Sequence, residues 1–437
     1  MQKYKDIYLY SSGSLRMLYS PMLRKAVWLK NSELPDSPEI QNIIDKLQLF
    51  TPLKEQKNKV QQPEDYPLLT VLPNQKCNLR RVYCYSAAGR NNEELDINIL
   101  KRTIDFFIGS KPEGFSKPLS VSFMGGGEPL LSWDTVKQSI VYARETANKR
   151  HLTLDFTVIT NGTVLNDGML DFFCKNNVNV SVSFEIIEEI QNLQRGNYLT
   201  VVKHLKRLVD NGITPQINVT VTPANVERQT EMIEIMEAQF PTVTNMMFEP
   251  VIAPELFADE SEMAQFYDRY TANFISALQR FRQNGKSLTS FPYLRTVFPV
   301  ERSCMGELCL APNGDIVCCY CITSPTDTYY SKVVYGKVNE SGVEFDRKKF
   351  DTLLADNVYM RPECMDCEVK WNCGGGCLYH RFQYKKSFDS VVCNFIRNFV
   401  KTAITERFRF RYIQQWGTTP EDAPDTVLLT RITQIFE

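Results

Sequence analysis

Histidine is scarce in this chain: His151, His204 and His380 are the only three in 437 residues, and they lie too far apart to form a ligand cluster. Any bound metal must therefore use other side chains. An excess of one charge is missing too. The 50 lysines and arginines stand against 51 acids, so no global field draws the chain toward nucleic acid or anionic lipid. Residues 1–7 contain no apolar signal core, and no uninterrupted apolar run approaches the roughly 18 residues a membrane span needs. These absences lead to the expectation of a cytoplasmic protein with neither a nucleic-acid partner nor a membrane one.

Cysteine, by contrast, is plentiful, with thirteen. Cytoplasmic thiols stay reduced, so metal ligation is a better use for them than disulfides. Seven stand in a register of their own. Cys304 is followed after nine residues by Gly314 and after four more by Cys319. Then come Cys364, Cys367, Cys373 and Cys377 at spacings of two, five and three, and finally Cys393. All-thiolate sets of this kind suit iron–sulfur clusters. Zinc is the alternative for Cys364, Cys367, Cys373 and Cys377, although it leaves the spacing around Gly314 unexplained. Upstream, Cys77-Asn-Leu-Arg-Arg81-Val-Tyr-Cys84 is a second constellation, with Arg81 where a thiolate would complete it.

With 43% hydrophobic residues the chain can bury large cores, and its length implies two to three domains. Residues 1–65 read as a small α+β opening segment: β-type runs at 7–10, 16–19 and 26–29, a helical pattern over 37–49, then a polar linker over 54–65. From residue 66 to 252, buried strands alternate with amphipathic helices. Strands are expected at 68–72, 119–124, 154–159, 179–184, 216–221 and 245–250. Helices are expected near 96–108, 134–148, 167–175, 199–209 and 224–238. This is the pattern of parallel βαβ units. Residues 253–300 form a connecting helical segment whose apolar face, from Met263 to Phe281, is expected to be core. The cysteine-rich region, 301–395, is poor in periodic elements and is expected to be held together by its metal. Residues 396–437 form a closing helix and tail.

Polar and glycine-rich residues collect just after the expected strands. Cys77 and Cys84 follow the first strand, Gly125-Gly126-Gly127-Glu128-Pro129 the second and Asn161 the third. Ser183 and Glu185 follow the fourth, and Glu249 ends the sixth. In a βα barrel these ends share one face, where active sites sit. The glycines would let backbone approach a ligand, and Glu128 offers an acceptor for an ammonium group. Glu185 and Ser183 suit sugar hydroxyls, and Arg195 suits a carboxylate. No residue is singled out as a catalytic acid, base or nucleophile. Cys174, Cys318 and Cys321 are expected to be ordinary buried thiols.

On these residues, 67–250 resemble the partial (β/α)6 barrel of radical S-adenosylmethionine (SAM) enzymes, and 304–393 resemble the SPASM domain that binds auxiliary [4Fe–4S] clusters. The resemblance implies one cluster on Cys304, Cys309, Cys319 and Cys377, with Cys318 and Cys321 as competitors of Cys309. It implies a second on Cys364, Cys367, Cys373 and Cys393. It also implies a SAM site at Gly126, Gly127, Glu128, Asn161, Ser183, Glu185 and Arg195, and a low-potential electron donor such as flavodoxin or ferredoxin. Members of this class hold their SAM-cleaving cluster on three cysteines. Arginine offers donors only, so Arg81 puts that cluster in doubt. The expected function is maturation of a ribosomal precursor peptide, with the opening segment as a peptide-recognition module or a cap. The alternatives are an anaerobic sulfatase-maturating enzyme and a non-catalytic iron–sulfur protein that binds peptide.

Overall fold

In the computed structural model, residues 6–30, 38–49, 60–87, 89–304, 306–384, 386–424, 428 and 433–434 are described. The chain opens with three antiparallel strands, β1 (Tyr8–Ser12), β2 (Leu15–Ser20) and β3 (Lys25–Lys30). Leu18, Val27 and Leu29 on one face pack against Ile40, Ile43 and Ile44 of the helix Pro38–Leu49. Residue 37 of the expected helix and residues 54–59 of the expected linker lie outside the described residues, and Pro63–Asp65 forms a 3-10 turn.

Six strands then follow one another in space as they do in sequence: β4 (Leu68–Val71), β5 (Leu119–Phe123), β6 (Leu154–Thr160), β7 (Val178–Ser183), β8 (Gln216–Val221) and β9 (Asn245–Pro250). All five pairings are parallel. Because the order never reverses, right-handed crossovers put every helix on the same face, and the sheet curls as an incomplete barrel. Val121, Phe123, Phe156, Val158, Val182, Val219 and Phe248 are all buried in its core. The first crossover helix, Ile97–Gly109, is capped by Asp96, whose carboxylate accepts from the Asn98 and Ile99 amides. One helix, Glu188–Gln194, was not expected from the sequence.

The sheet does not stop at the barrel. β10 (Ser287–Thr289) adds to β9, and at the other edge β11 (Leu308–Leu310) runs parallel to β4. From β11 the antiparallel β12 (Asp315–Val317), β13 (Val334–Asn339) and β14 (Gly342–Phe345) complete eleven strands. The cysteine-rich region is thus anchored by backbone hydrogen bonds to the barrel's first strand, a tie that the sequence did not reveal. Its last part is also more regular than expected. Cys393 belongs to the long helix Lys386–Trp416. That helix packs on the helix Glu260–Gln283 through stacked rings, Tyr267 on Phe395 at 4.1 Å and Tyr270 on Phe399 at 5.7 Å. Met263, Phe266, Tyr267, Tyr270, Phe274, Leu278 and Phe281 are buried, as their spacing requires.

The opening sheet rests on the cysteine-rich region. Tyr10 Oη donates to the Glu368 carbonyl at 3.0 Å, and Trp371 Nε1 donates to Asp6 at 2.6 Å. A fourth strand, β15 (Thr433–Gln434), from the end of the chain pairs with β3. Among the described residues, no helix is long and apolar enough to cross a membrane.

Candidate functional site

The loop after β4 carries Cys77, Arg81 and Cys84, and the glycine triplet after β5 holds its base. The Gly127 amide donates to the Asn74 carbonyl at 3.1 Å and the Glu128 amide to the Lys76 carbonyl at 2.6 Å. A Cβ on Gly127 would stand 1.7 Å from the Lys76 carbonyl oxygen, and one on Gly126 would stand 2.6 Å from that of Asn74. Gly126 also has φ +59°. The glycines were expected to let a ligand approach; here the space beside Gly126 and Gly127 is filled by residues 74–76 of the chain itself. Gly127→Ala is expected to lower stability by about 1–3 kcal/mol, since neither backbone can yield cheaply. A melting temperature equal to that of the unmodified protein would show that the contact is dispensable.

Glu128, buried beneath this loop, accepts from the Leu130 amide (3.1 Å), Thr160 Oγ1 (2.7 Å) and the Asn161 amide (2.7 Å). Burial pushes its carboxyl up, and these three donors oppose the shift. Asn161 Nδ2 reaches Asn78 Oδ1 at 2.9 Å, tying the end of β6 to the cysteine loop. Ser183, half-buried at the end of β7, stands opposite Asn218 of β8.

Glu185 and Arg195, which the sequence assigned to separate ligand groups, hold each other. Arg195 Nε donates to Glu185 Oε1 at 2.5 Å in a pair with almost no exposure. Tyr83 Oη donates to the same oxygen, and the Thr220 amide donates to the other at 3.0 Å. The Arg195 guanidinium lies 5.5 Å from the Tyr83 ring centre.

At the cysteine loop, Arg81 Nη2 donates to Cys84 Sγ at 3.4 Å, and Arg90 Nη2 donates to the same sulfur at 3.2 Å. Burial raises the Cys84 thiol, but the two guanidiniums outweigh it and hold the thiol below its ordinary range. A donor-only cation thus occupies the position of a third ligand and engages the remaining sulfur. Cys77, Arg81 and Cys84 do not fit a cluster held by three thiolates. Nothing in the sequence marked Arg90 as a partner of Cys84.

The segment after β12 lies across the strand ends. The Tyr320 carbonyl is 3.7 Å from where a Gly125 Cβ would be, and Gln75 Nε2 donates to Thr323 at 3.4 Å. Tyr85 and Tyr320 meet edge to face, centroids 6.0 Å apart. The thiols of the cysteine-rich region act on one another in two groups. The Cys304 thiol feels Cys377 and Cys319, while Cys364 and Cys393 each feel Cys373 and Cys367. Cys309, buried on β11, feels Cys319 and Cys318; Cys321 hydrogen-bonds with Cys319 and feels Cys377. Among the described residues, no three histidine, cysteine or acidic side chains converge tightly enough for one metal ion. The donor sets are all sulfur, which is the ligand chemistry of iron–sulfur clusters. Cys318 is buried as expected, whereas Cys174 is exposed, because its position on the helix Asp167–Lys175 faces outward.

Residues 71–239 match the model of the radical SAM superfamily. That segment, the incomplete barrel, is a radical SAM domain. Among particular proteins, the radical SAM cyclopropyl synthase TigE of Paramaledivibacter caminithermalis is 19% identical over 397 residues, 82% of this chain and 78% of that one. The structure of anSMEcpe with bound AdoMet and Kp18Cys peptide superposes with a TM-score of 0.59 at 14% identity, over 78% of this chain and 99% of that one. SuiB of Streptococcus suis bound to the precursor peptide SuiA gives 0.51 at 17% identity, over 80% and 79%. At such identities the structural likeness is one of fold.

Proposed function

We propose that this chain is a radical SAM/SPASM maturase of a ribosomal precursor peptide whose SAM-cleaving centre is interrupted at Arg81. The observation that carries the reading is the sheet itself: β11, which holds Cys309, runs parallel to the first strand of the barrel, so the cysteine-rich region continues the sheet of a radical SAM domain. Similar proteins have been seen with a peptide bound, and a peptide reaching the barrel mouth is the substrate proposed here. Cys364, Cys367, Cys373 and Cys393 would hold one auxiliary [4Fe–4S] cluster. Cys304, Cys319 and Cys377 would hold the other, with Cys309 or Cys321 as fourth ligand. Such clusters, when bound, pass single electrons; the partner on that side is a low-potential donor of the flavodoxin or ferredoxin kind, in the cytoplasm.

The chain's own residues divide the remaining work. Glu128 and Asn161 fix the cysteine loop against β5 and β6, and Ser183 adds a hydroxyl at the rim, where SAM would lie. Glu185 and Arg195 brace the loop from below. Gly126 and Gly127 shape it. With Arg81 in place, no radical step is assigned to this chain.

The test uses the Arg81→Cys variant, produced anaerobically together with a candidate precursor peptide. Bond formation after hydrogen abstraction is expected to lower the peptide mass by two hydrogens. A peptide left unchanged by a variant that cleaves SAM would overturn this choice of substrate. The similarity to a cyclopropyl synthase makes a carbon–carbon bond the first product to look for by tandem mass spectrometry.

A further inference from the structure

Beside Cys373 lies an arginine that neither motif includes. Arg295 closes the short helix Phe291–Leu294, which Ser290 caps by accepting from the Tyr293 amide. Its carbonyl accepts from Asn372 Nδ2 at 3.0 Å, so its backbone is fixed to the residue beside Cys373. Its Nη1 donates to Cys373 Sγ at 3.8 Å. Its charge also reaches the carboxyl of Glu249 on β9, which burial pushes up toward the neutral form. Cys373 stands in the set proposed for the second auxiliary cluster, and the guanidinium addresses that set directly.

Arg295 is half-buried, and among the described residues no carboxylate forms an ion pair with it. Withdrawing a guanidinium from water without a counter-charge is costly. Four thiolates around an iron–sulfur core carry net negative charge, and one-electron reduction adds to it. A cation with N–H groups directed at the sulfurs offsets that charge and favours the reduced form, which raises the potential.

We propose that Arg295 is a tuning residue of the auxiliary cluster that Cys373 would help hold, its charge and its N–H···S contact stabilising the reduced form. The proposal rests on the reading of the cysteine sets given above. It concerns electron flow rather than SAM, so the chain with Arg81 in place is the right material, because no third cluster adds its signal.

The experiment is a redox titration followed by electron paramagnetic resonance on the reconstituted full chain. Arg295→Met, Arg295→Gln and Arg295→Lys are compared with the unmodified protein, with iron and sulfide counted for each. Arg295→Met is expected to lower the midpoint of at least one auxiliary signal the most. Arg295→Gln, which keeps a donor without charge, should fall between, and Arg295→Lys should move least, all at unchanged iron content. Midpoints that stay put while the iron is retained would overturn the proposal. Loss of iron in all three variants would also overturn it, by making Arg295 a structural residue. An unmodified protein without acid-labile sulfide would fail the parent reading and is recognised separately, before any variant is made.

Discussion

Arg81→Cys is expected to turn a protein that does not cleave SAM into one that does. Under strong reductant, 5′-deoxyadenosine should rise above the unmodified chain by at least about a hundredfold, equivalent to about 2.7 kcal/mol of barrier. The reason is local. Arg81 directs its guanidinium at Cys84, so the loop that should offer three sulfurs offers two, one of them engaged by a pair of cations. Iron should rise in parallel, from about eight to about twelve atoms per chain as a third four-iron cluster joins two. Arg81→Ala separates the explanations: it removes the cation without supplying a ligand and should stay inactive. Equal product from the unmodified chain would mean that another group completes the site, and the doubt over Arg81 would fall.

How much of this site could be read in advance depended on how local its causes are. Metal ligation leaves spacing in the sequence, so the cysteine sets and the odd Arg81 were legible, and the βα alternation gave the barrel and the face where its loops gather. What was hidden depends on long-range geometry. The three residues of β11 carry no periodic signal, and only their pairing with β4, more than 200 positions earlier, makes the cysteine-rich region an extension of the barrel sheet. The pairing of Thr433 and Gln434 with β3 is hidden in the same way. Gly126 and Gly127 read as room for a ligand because glycine signals close approach but not what approaches. The sequence shows the two charges of Glu185 and Arg195 and cannot show that they face each other. Arg90 and Arg295 had no motif around them, and their meaning comes from the sulfur each one reaches.

That buried pair sets the second large effect. Arg195→Leu leaves the Glu185 carboxylate without its cation in a fully buried position, where the Tyr83 hydroxyl and the Thr220 amide are the donors that remain. Breaking a buried ion pair from one side costs about 3–5 kcal/mol, a large fraction of the roughly 5–15 kcal/mol that stabilises a typical domain. The double variant Arg195→Leu/Glu185→Gln removes the stranded charge and should recover most of the loss, because the amide oxygen can still accept from the Thr220 N–H while the amide NH2 donates to the Tyr83 hydroxyl. Urea unfolding of the two variants and the unmodified chain measures the difference, and a single variant as stable as the double would show that the two remaining donors suffice for the carboxylate. The consequence extends to the cysteine loop, since Tyr83 lies between Arg81 and Cys84 and the Val82 amide donates to the Gln194 carbonyl at 3.3 Å. In the Arg81→Cys background, Arg195→Leu should therefore reduce 5′-deoxyadenosine formation even at temperatures where the fold survives. The double variant should restore stability more fully than activity, because it returns a neutral brace to the loop but not the guanidinium over the Tyr83 ring.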